Sequence, residues 1–519
     1  MPPPGEEHRE GPALFHIHPA DNVAVALREL QSGETLSLNG AALTARETIP
    51  QGHKIALQDI SAGEKVFKYG LPIGAASRPL QTGSWVHTHN LRTLLTEEPV
   101  YTWRGESGRA PAETTNQAKL PAPPRFHVYR RPGGQTGIRN EIWIIPTVGC
   151  VNQTALALAR WANAELCAAA DTAHTGHIDG VYAWTHPYGC SQLGEDHEAT
   201  RSILRGLAQH PNAAAALILA LGCENNTLER FKESLEPQAE GRIAFLSCQD
   251  CGDEIAEGQR LLTRLAEYAR TARREEAGPE GLILGLKCGG SDGLSGITAN
   301  ALAGRICDNV CRWGAGAILT EVPEIFGAEQ ILLDRCENRD IFDRTVSMIE
   351  NFKAYYRSQN QPIYENPSPG NKAGGISTLE EKSCGCVQKG GRSPVRGICR
   401  YGEQVRSPGL TILEGPGNDI VSTTALAAAG AQLILFTTGR GTPLGGPVPV
   451  IKIASNTALA RRKPAWIDFD AGRLLTEDNN QVQAELLQLI TAVVSGRAKT
   501  RNEEQDCREI AIFKNGITL

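Results

Sequence analysis

Residues 282–300 read LILGLKCGGSDGLSGITAN. The apolar opening has the composition of a strand buried on both faces of a parallel sheet. It then changes abruptly to Lys287, Cys288, Gly289, Gly290, Ser291, Asp292 and Gly293. A core strand that ends in a cation, a thiol, paired glycines and a carboxylate has stopped packing and begun presenting groups. Glycines there let backbone N–H groups approach an anion, or let the chain take positive φ. The competing reading is a glycine-rich turn in which Asp292 caps the next helix. Recurrence favours a site. The runs IWIIPTVGC (142–150), VYAWTHPYGC (181–190), ALILALGCEN (216–225), RIAFLSCQD (242–250), AILTEVPE (317–324), LTILEGPGND (410–419) and QLILFTTGRG (432–441) alternate with amphipathic helical stretches. That alternation predicts βαβ units and a mostly parallel sheet, whose ligands sit outside the carboxyl ends of the strands.

The chain has 519 residues, enough for about two to four domains. Hydrophobic content of 41% beside 21% charged residues is that of a globular protein. No apolar run reaches membrane-span length, and MPPPGEEHREGPALF lacks the basic start and apolar core of a signal peptide. With fourteen cysteines, this predicts a reducing, cytoplasmic setting in which thiols are packed, catalytic or metal-bound. A net charge of −6 without basic clusters excludes nucleic acid as the expected partner. An acidic small molecule would have to be drawn in by local Lys and Arg. All twelve histidines lie at or before His210, so later segments contribute Cys, Asp, Glu, Lys, Arg and backbone.

Residues 1–14 read as a disordered extension rich in Pro and Glu. Residues 15–98 are short segments punctuated by glycine, a small β-rich module with one helix expected over Asn22–Leu30. Residues 99–124 read as a linker, followed by a large α/β region over 125–395 and 396–519, with up to two subdomains. The tail predicts a helix over Gln481–Ser495 and a last strand in REIAIFKNGITL.

Several motifs carry chemistry, each with a plainer alternative. Gly189-Cys190, Gly222-Cys223 and Cys288-Gly289 place three thiols at strand ends, where they can hold an iron centre or be small packed side chains. His186, with Glu195, Asp196 and His197 nearby, suits proton transfer or a hard divalent metal; Asp196 and His197 equally suit the first turn of a helix. Asn371 and Lys372 stand among turn formers in NPSPGNKAGG (366–375), where a lysine can bind a carboxylate or act as a base. Gly415–Asp419 and Gly439–Pro443 both lack the last glycine of G-x-G-x-x-G, so no dinucleotide site is expected, while Arg440 suits a substrate carboxylate. His16-x-His18 and His87-x-His89 would share a face if they lie on strands, and Cys248-x-x-Cys251 and Cys384-x-Cys386 are weak zinc or redox patterns.

The strings KYGLPIG, VHTHN, RNEIWIIPTVGCVN, YGCSQLGEDH, LGCENN, GLKCGGSDGLSGITAN, TEVPEIFGAEQ, YENPSPGNKAGG, TTGRGTP and WIDFDAG resemble, in order, the altronate/galactarate dehydratase family. The resemblance implies an N-terminal SAF (β-clip) module on a mostly parallel α/β catalytic region. It implies loss of water from a sugar acid with Fe²⁺ or Mn²⁺; an iron–sulfur cluster is the alternative that the strand-end thiols leave open. HTHN and GCSQLGEDH are more like the altronate branch, which implies D-altronate going to 2-dehydro-3-deoxy-D-gluconate. Leu444 stands where the family usually has tyrosine.

Residue chemistry then suggests roles. Removing the C2 proton of a 2,3-dihydroxy acid makes an enediolate that cations must stabilise. Cys190, Cys223, Cys288 and Glu224 are the expected metal set, with Asp292 beside it. His186 or Lys372 is the expected base. Lys287 and Arg440, with Asn371 and Ser291, are expected to hold the substrate. Galactarate or another aldarate is the alternative substrate, and a non-catalytic sugar-acid sensor the alternative class. Assembly as a homo-oligomer is compatible with all three.

Overall fold

The Ile283–Cys288 strand is the middle member of a seven-stranded sheet, in the order 395–399, 409–413, 316–319, 283–288, 433–438, 450–454, 469–470. Every pairing in it is parallel. The computed structural model describes residues 12–95, 99–105, 121–167, 176–237, 241–364 and 366–515. All eight apolar runs become strands, but they divide between two sheets. Glu141–Pro146, Gly180–Ala183, Ala213–Ala220 and Ile243–Ser247 form a separate parallel sheet in the order 180–183, 141–146, 213–220, 243–247. The expected boundary at 395/396 falls within the seven-stranded sheet, because Val395–Cys399 pairs with Gly409–Leu413. The step from one sheet to the other falls between Ile243–Ser247 and Ile283–Cys288.

Helices Gly194–Ala208 and Asp419–Ala428 join the sheets. A side chain on Gly206 would lie 2.4 Å from the carbonyl oxygen of Ala428, so only glycine lets the helices approach this closely. Trp143 and Ile218 of one sheet and Ile318, Leu413 and Phe436 of the other share one buried core around them. The large region is therefore packed as one body rather than strung as two.

The N-terminal module is built of short antiparallel strands. Its expected helix is absent: Val23–Ala26 is a strand between Leu14–Phe15 and Lys54–Ala56. All four Val-Ala-Val-Ala side chains are buried, so both faces are covered and a one-sided helical stripe has no role. Of the expected extension, residues 1–11 lie outside the described residues, and Leu14 is already buried in a strand. Residues 106–120 of the expected linker are likewise outside them. Its start packs on helix Arg339–Ser358, with Tyr101 donating to Glu350 and Trp103 against Phe342. At the other end, Asn479–Val494 forms the expected helix. Residues 508–515 form no strand; Ala511 and Phe513 donate their N–H groups to the hydroxyls of Thr424 and Tyr401 instead.

The module docks on the large region through buried charge. Lys54 Nζ donates to Glu381 Oε2 at 2.8 Å, and also to the Gly375 carbonyl and Ser377 Oγ. Lys68 Nζ lies 2.9 Å from Glu381 Oε1. One carboxylate cannot neutralise two ammonium groups equally. Burial lowers Lys54 to about 8, while Glu381 outweighs burial at Lys68 and raises it. Burial alone would raise Glu381, but Lys54 and Lys68 hold it down at about 2. Its stabilising contribution is therefore complete above its ordinary value of 4.5 and is lost as pH falls toward 2. Replacing Glu381 with Gln should lower the unfolding free energy in urea by about 3–5 kcal/mol at pH 7, since both buried lysines lose their partner. The difference between variant and parent should shrink below pH 4.5; a constant difference down to pH 3 would contradict this account.

Candidate active site

Strand order in the seven-stranded sheet reverses between Ile283–Cys288 and Leu433–Thr438. Such a reversal opens a crevice beyond the carboxyl ends, because the connections leave in opposite directions. A cavity of about 550 Å³ occupies this place, lined by Cys288, Gly289, Gly290, Glu321, Glu324, Asn366, Ser368, Asn371, Lys382, Asn418, Asp419 and Thr442. Loop 288–293 and loop 366–375 meet there: Gly293 N–H donates to Gly374 O at 2.8 Å, and Asn371 Nδ2 to Ser291 O at 2.8 Å. The module closes the back of these loops. A side chain on Gly293 would lie 1.9 Å from Gly52 O.

The cavity floor is ionisable. Lys287 Nζ donates to Glu321 Oε1 and Asp419 Oδ1, both at 2.6 Å, and to Cys288 O at 2.9 Å. These three acceptors use its three hydrogens. Glu321 sits at φ 73°, a left-handed conformation that non-glycine residues rarely adopt. Its Oε2 is buried without a hydrogen-bond partner. Burial, then the charge of Glu324, pushes its carboxyl well above the carboxylate range despite Lys287. Glu324 is the opposite case: burial would raise it, but Lys382, Lys389 and Lys287 hold it well below that range.

Cys288 Sγ lies 2.6 Å from Lys389 Nζ, 2.9 Å from Glu324 Oε2 and 3.4 Å from Cys386 Sγ. The hydrogen bond from Cys386, aided by Lys389 and Lys287 and opposed by burial, lowers the thiol to about 7. Cys288, Glu324 and Cys386 offer ligand atoms within 4.8 Å of one another, the one such group among the described residues. Two cysteine sulfurs, ligating as thiolates, and a carboxylate fit a divalent metal of borderline softness. Lys382 and Lys389 place positive charge beside Glu324 and Cys288.

The expected site residues are only partly gathered. Cys288 lines the cavity, as does Asn371, and Ser291 anchors Asn371 through its carbonyl. Lys287 lies beneath the floor, its hydrogens already given to protein acceptors. Asp292 neither caps a helix nor lines this cavity: its carboxylate accepts from Ser295 Oγ in its own loop and from Ser455 Oγ and Asn456 Nδ2, and so ties two loops. Arg440 is exposed, its stem beside Gly290, and Lys372 is exposed on the short helix Pro369–Ala373. The expected metal set does not form. Cys190, Cys223 and Glu224 belong to the rim of the other sheet, and the Glu224 carboxylate is taken by Thr147 Oγ1 and the N–H groups of Leu221 and Gly222. His186 is buried, with Nε2 on Pro146 O at 2.8 Å and Nδ1 accepting from Tyr188 N, so neither nitrogen is free to act as a base. Asp196 and His197 fall in the first turn of helix Gly194–Ala208.

The histidine pairs do not make strand faces either. His16 and His18 lie outside strands, and His87, in a turn, meets Ser377 Oγ at 3.0 Å. Glu321, Glu324, Lys382 and Lys389 are not among the expected site residues, and Cys386 enters only through the weak Cys384-x-Cys386 pattern. The run AILTEVPE held both glutamates at a strand end, which was the available signal; Lys382 and Lys389 gave none, since they sit on helix Leu379–Cys386 and the turn after it.

Fold and site together define an α/β enzyme with a charged cavity at a switch point and a β-rich module behind it. The chain belongs to the altronate/galactarate dehydratase family. Residues 12–94 match the altronate/galactarate dehydratase SAF domain, residues 128–270 the D-galactarate dehydratase/altronate hydrolase second domain, and residues 280–518 the D-galactarate/altronate dehydratase C-terminal domain. It is 47% identical to the altronate dehydratase of Escherichia coli (strain K12), covering 97% of this chain and 99% of that one. It is also 47% identical to the altronate dehydratase of Bacillus subtilis (strain 168), covering 98% and 100%. Identity to the galactarate dehydratase (L-threo-forming) of E. coli is 32%, covering 98% of each. No helix among the described residues is long and apolar enough to cross a membrane.

If Lys389 stabilises the Cys288 thiolate, replacing it with Met should raise the thiol pKa and slow its alkylation by iodoacetamide at pH 7.5 by about tenfold. Peptide-resolved mass spectrometry distinguishes Cys288 from the other cysteines; an unchanged rate would remove Lys389 from this role.

Proposed function

We propose that the chain dehydrates a sugar acid, D-altronate, to 2-dehydro-3-deoxy-D-gluconate and water. The observation that carries this reading is full-length similarity, at 47% identity, to two altronate dehydratases, against 32% for the galactarate enzyme. The cavity chemistry supports it. Asn366, Ser368, Asn371, Asn418 and Thr442 offer amides and hydroxyls suited to a polyol, and Lys382 offers a cation for the carboxylate.

Glu321 is the proposed proton carrier. A buried carboxyl with one unpaired oxygen, its proton affinity raised by burial and by the charge of Glu324, is suited to taking up and returning a proton. It takes the C2 proton of the bound acid, and the electron pair left behind moves onto the substrate carboxylate. Lys382, drawn into the cavity by Glu324 at 2.9 Å, stabilises that charge. As the C3–O bond breaks, the same carboxyl returns its proton to the departing hydroxyl, which leaves as water. The enol product then tautomerises to the 2-keto-3-deoxy acid. Lys287 and Asp419 hold Glu321 in place rather than touching substrate.

Cys288, Glu324 and Cys386 would hold a divalent ion, Fe²⁺ or Mn²⁺, whose Lewis acidity supplies further stabilisation of negative charge when bound. The thiols favour Fe²⁺ of the two. A reducing compartment such as the cytoplasm belongs to this reading, because Cys288 and Cys386 stand 3.4 Å apart as free thiols.

Formation of 2-keto-3-deoxy acid from a panel of sugar acids, under anaerobic conditions with Fe²⁺ supplied, tests the proposal. D-Altronate should be turned over faster than galactarate, and binding without turnover of any acid would indicate a sensor. Glu321→Gln should lower kcat by about 10²–10⁴-fold with little change in KM. Near-normal turnover by that variant would exclude Glu321 as the proton carrier.

A further inference from the structure

The four-stranded sheet has a switch point of its own. Its order reverses between Glu141–Pro146 and Ala213–Ala220, and open parallel sheets place ligands beyond the carboxyl ends at such a reversal. The loops that leave these two strands and the neighbouring Gly180–Ala183 strand carry Gly149-Cys150, Gly222-Cys223 and Gly189-Cys190. Of the fourteen cysteines, Cys150, Cys190 and Cys223 are the three that are exposed. Free cysteine is among the most buried of residue types, so three exposed thiols on adjacent loops need a cause other than packing.

The loops that carry those thiols are hydrogen-bonded to one another. Gly149 N–H donates to Tyr188 O at 2.9 Å, Asn226 N–H to Gly189 O at 3.1 Å, and Asn226 Nδ2 to Thr147 O at 3.2 Å. Gly189 takes φ 104°, and a side chain on it would lie 2.0 Å from Thr147 O. The backbone is thus drawn tight immediately before Cys190, and its neighbours are drawn onto the same rim.

The donor set indicates the ligand. It holds thiols alone, since the Glu224 carboxylate and both His186 nitrogens are occupied within the protein. These thiols are not part of a group compact enough for a single ion. An iron–sulfur cubane has a different requirement, because each thiolate binds a separate iron and the ligands stand correspondingly apart. Cys248 and Cys251, on the next strand end, pack against the apolar core instead, and burial pushes the Cys248 thiol up to about 11. We propose that Cys150, Cys190 and Cys223 hold a [4Fe–4S] cluster in which one iron is free of protein thiolate. Tyr188, two residues before Cys190, lines a cavity with Gly417 and Asn418, and both of these also line the Cys288 cavity. The cluster rim therefore adjoins the site described above, but its assignment does not depend on the dehydratase reading.

The full chain, kept anaerobic, should accept a synthetic [4Fe–4S] cluster carrying small thiolate ligands. Transfer is ligand exchange: as each iron–Cys bond forms, the cysteine proton passes to the departing small thiolate, and the electron count of the cluster is unchanged. After desalting, the protein should retain about four iron and four acid-labile sulfide per chain. It should show broad thiolate-to-iron absorption and an electron paramagnetic resonance signal after reduction with dithionite. Cys150→Ser, Cys190→Ser and Cys223→Ser should each lose the labile sulfide, with far-UV circular dichroism unchanged because all three side chains are exposed. Cys251→Ser and Cys288→Ser should retain it. A parent chain without labile sulfide, serine variants that bind as much as the parent, or loss on Cys288→Ser would each overturn the assignment.

Discussion

Buried charges must be paired where they stand, and that requirement organises the candidate active site. An unpaired ammonium or carboxylate in a protein interior costs several kcal/mol, enough to remove much of a domain's stability. Here Lys287 is met by Glu321 and Asp419, Lys389 by Cys288 and Glu324, Lys382 by Glu324, and Lys54 and Lys68 by Glu381. Each set joins segments far apart in the chain. The pairs of Lys287, Lys382 and Lys389 form within the large region, and those of Lys54 and Lys68 only once the module is docked beside it. Such a network is fixed before substrate arrives, and fixed dipoles and charges are what a reaction that develops negative charge requires.

The pairing also divides the carboxylates by role. Glu321 and Glu324 stand three residues apart on one turn, yet their proton affinities are driven in opposite directions. Glu324 faces three lysines and stays ionised, so it can hold a cation. Glu321 has one lysine, a like-charged neighbour and an oxygen without a partner, so its proton affinity is raised. Environment, not residue type, separates a charge holder from a proton carrier.

The two parallel sheets each present a switch point, and both are furnished with cysteine. On the larger sheet Cys288 is buried among lysines and a carboxylate. On the smaller sheet Cys150, Cys190 and Cys223 are exposed on loops tightened by glycine. The same strand-end position thus yields two chemically distinct sites, because what surrounds a thiol decides whether it is a nucleophile, a ligand or a packing group.

Sequence alone determined the alternation of buried strand and helix, the polar character of the strand ends, and the family that those strings resemble. These are local or ordered properties: a run such as LILGLK can satisfy its apolar side chains and its backbone together only inside a sheet. The Asn22–Leu30 segment misled because Val-Ala-Val-Ala suits either structure, and burial on both faces chose the strand. Only the tertiary structure decided that the eight runs make two sheets, that Cys288 meets Cys386 rather than Cys190 and Cys223, and that His186 is occupied while Glu321 is not. Strand order and through-space pairing decide these matters, and residues about a hundred positions apart carry no mark in the chain of which partner their side chains will meet.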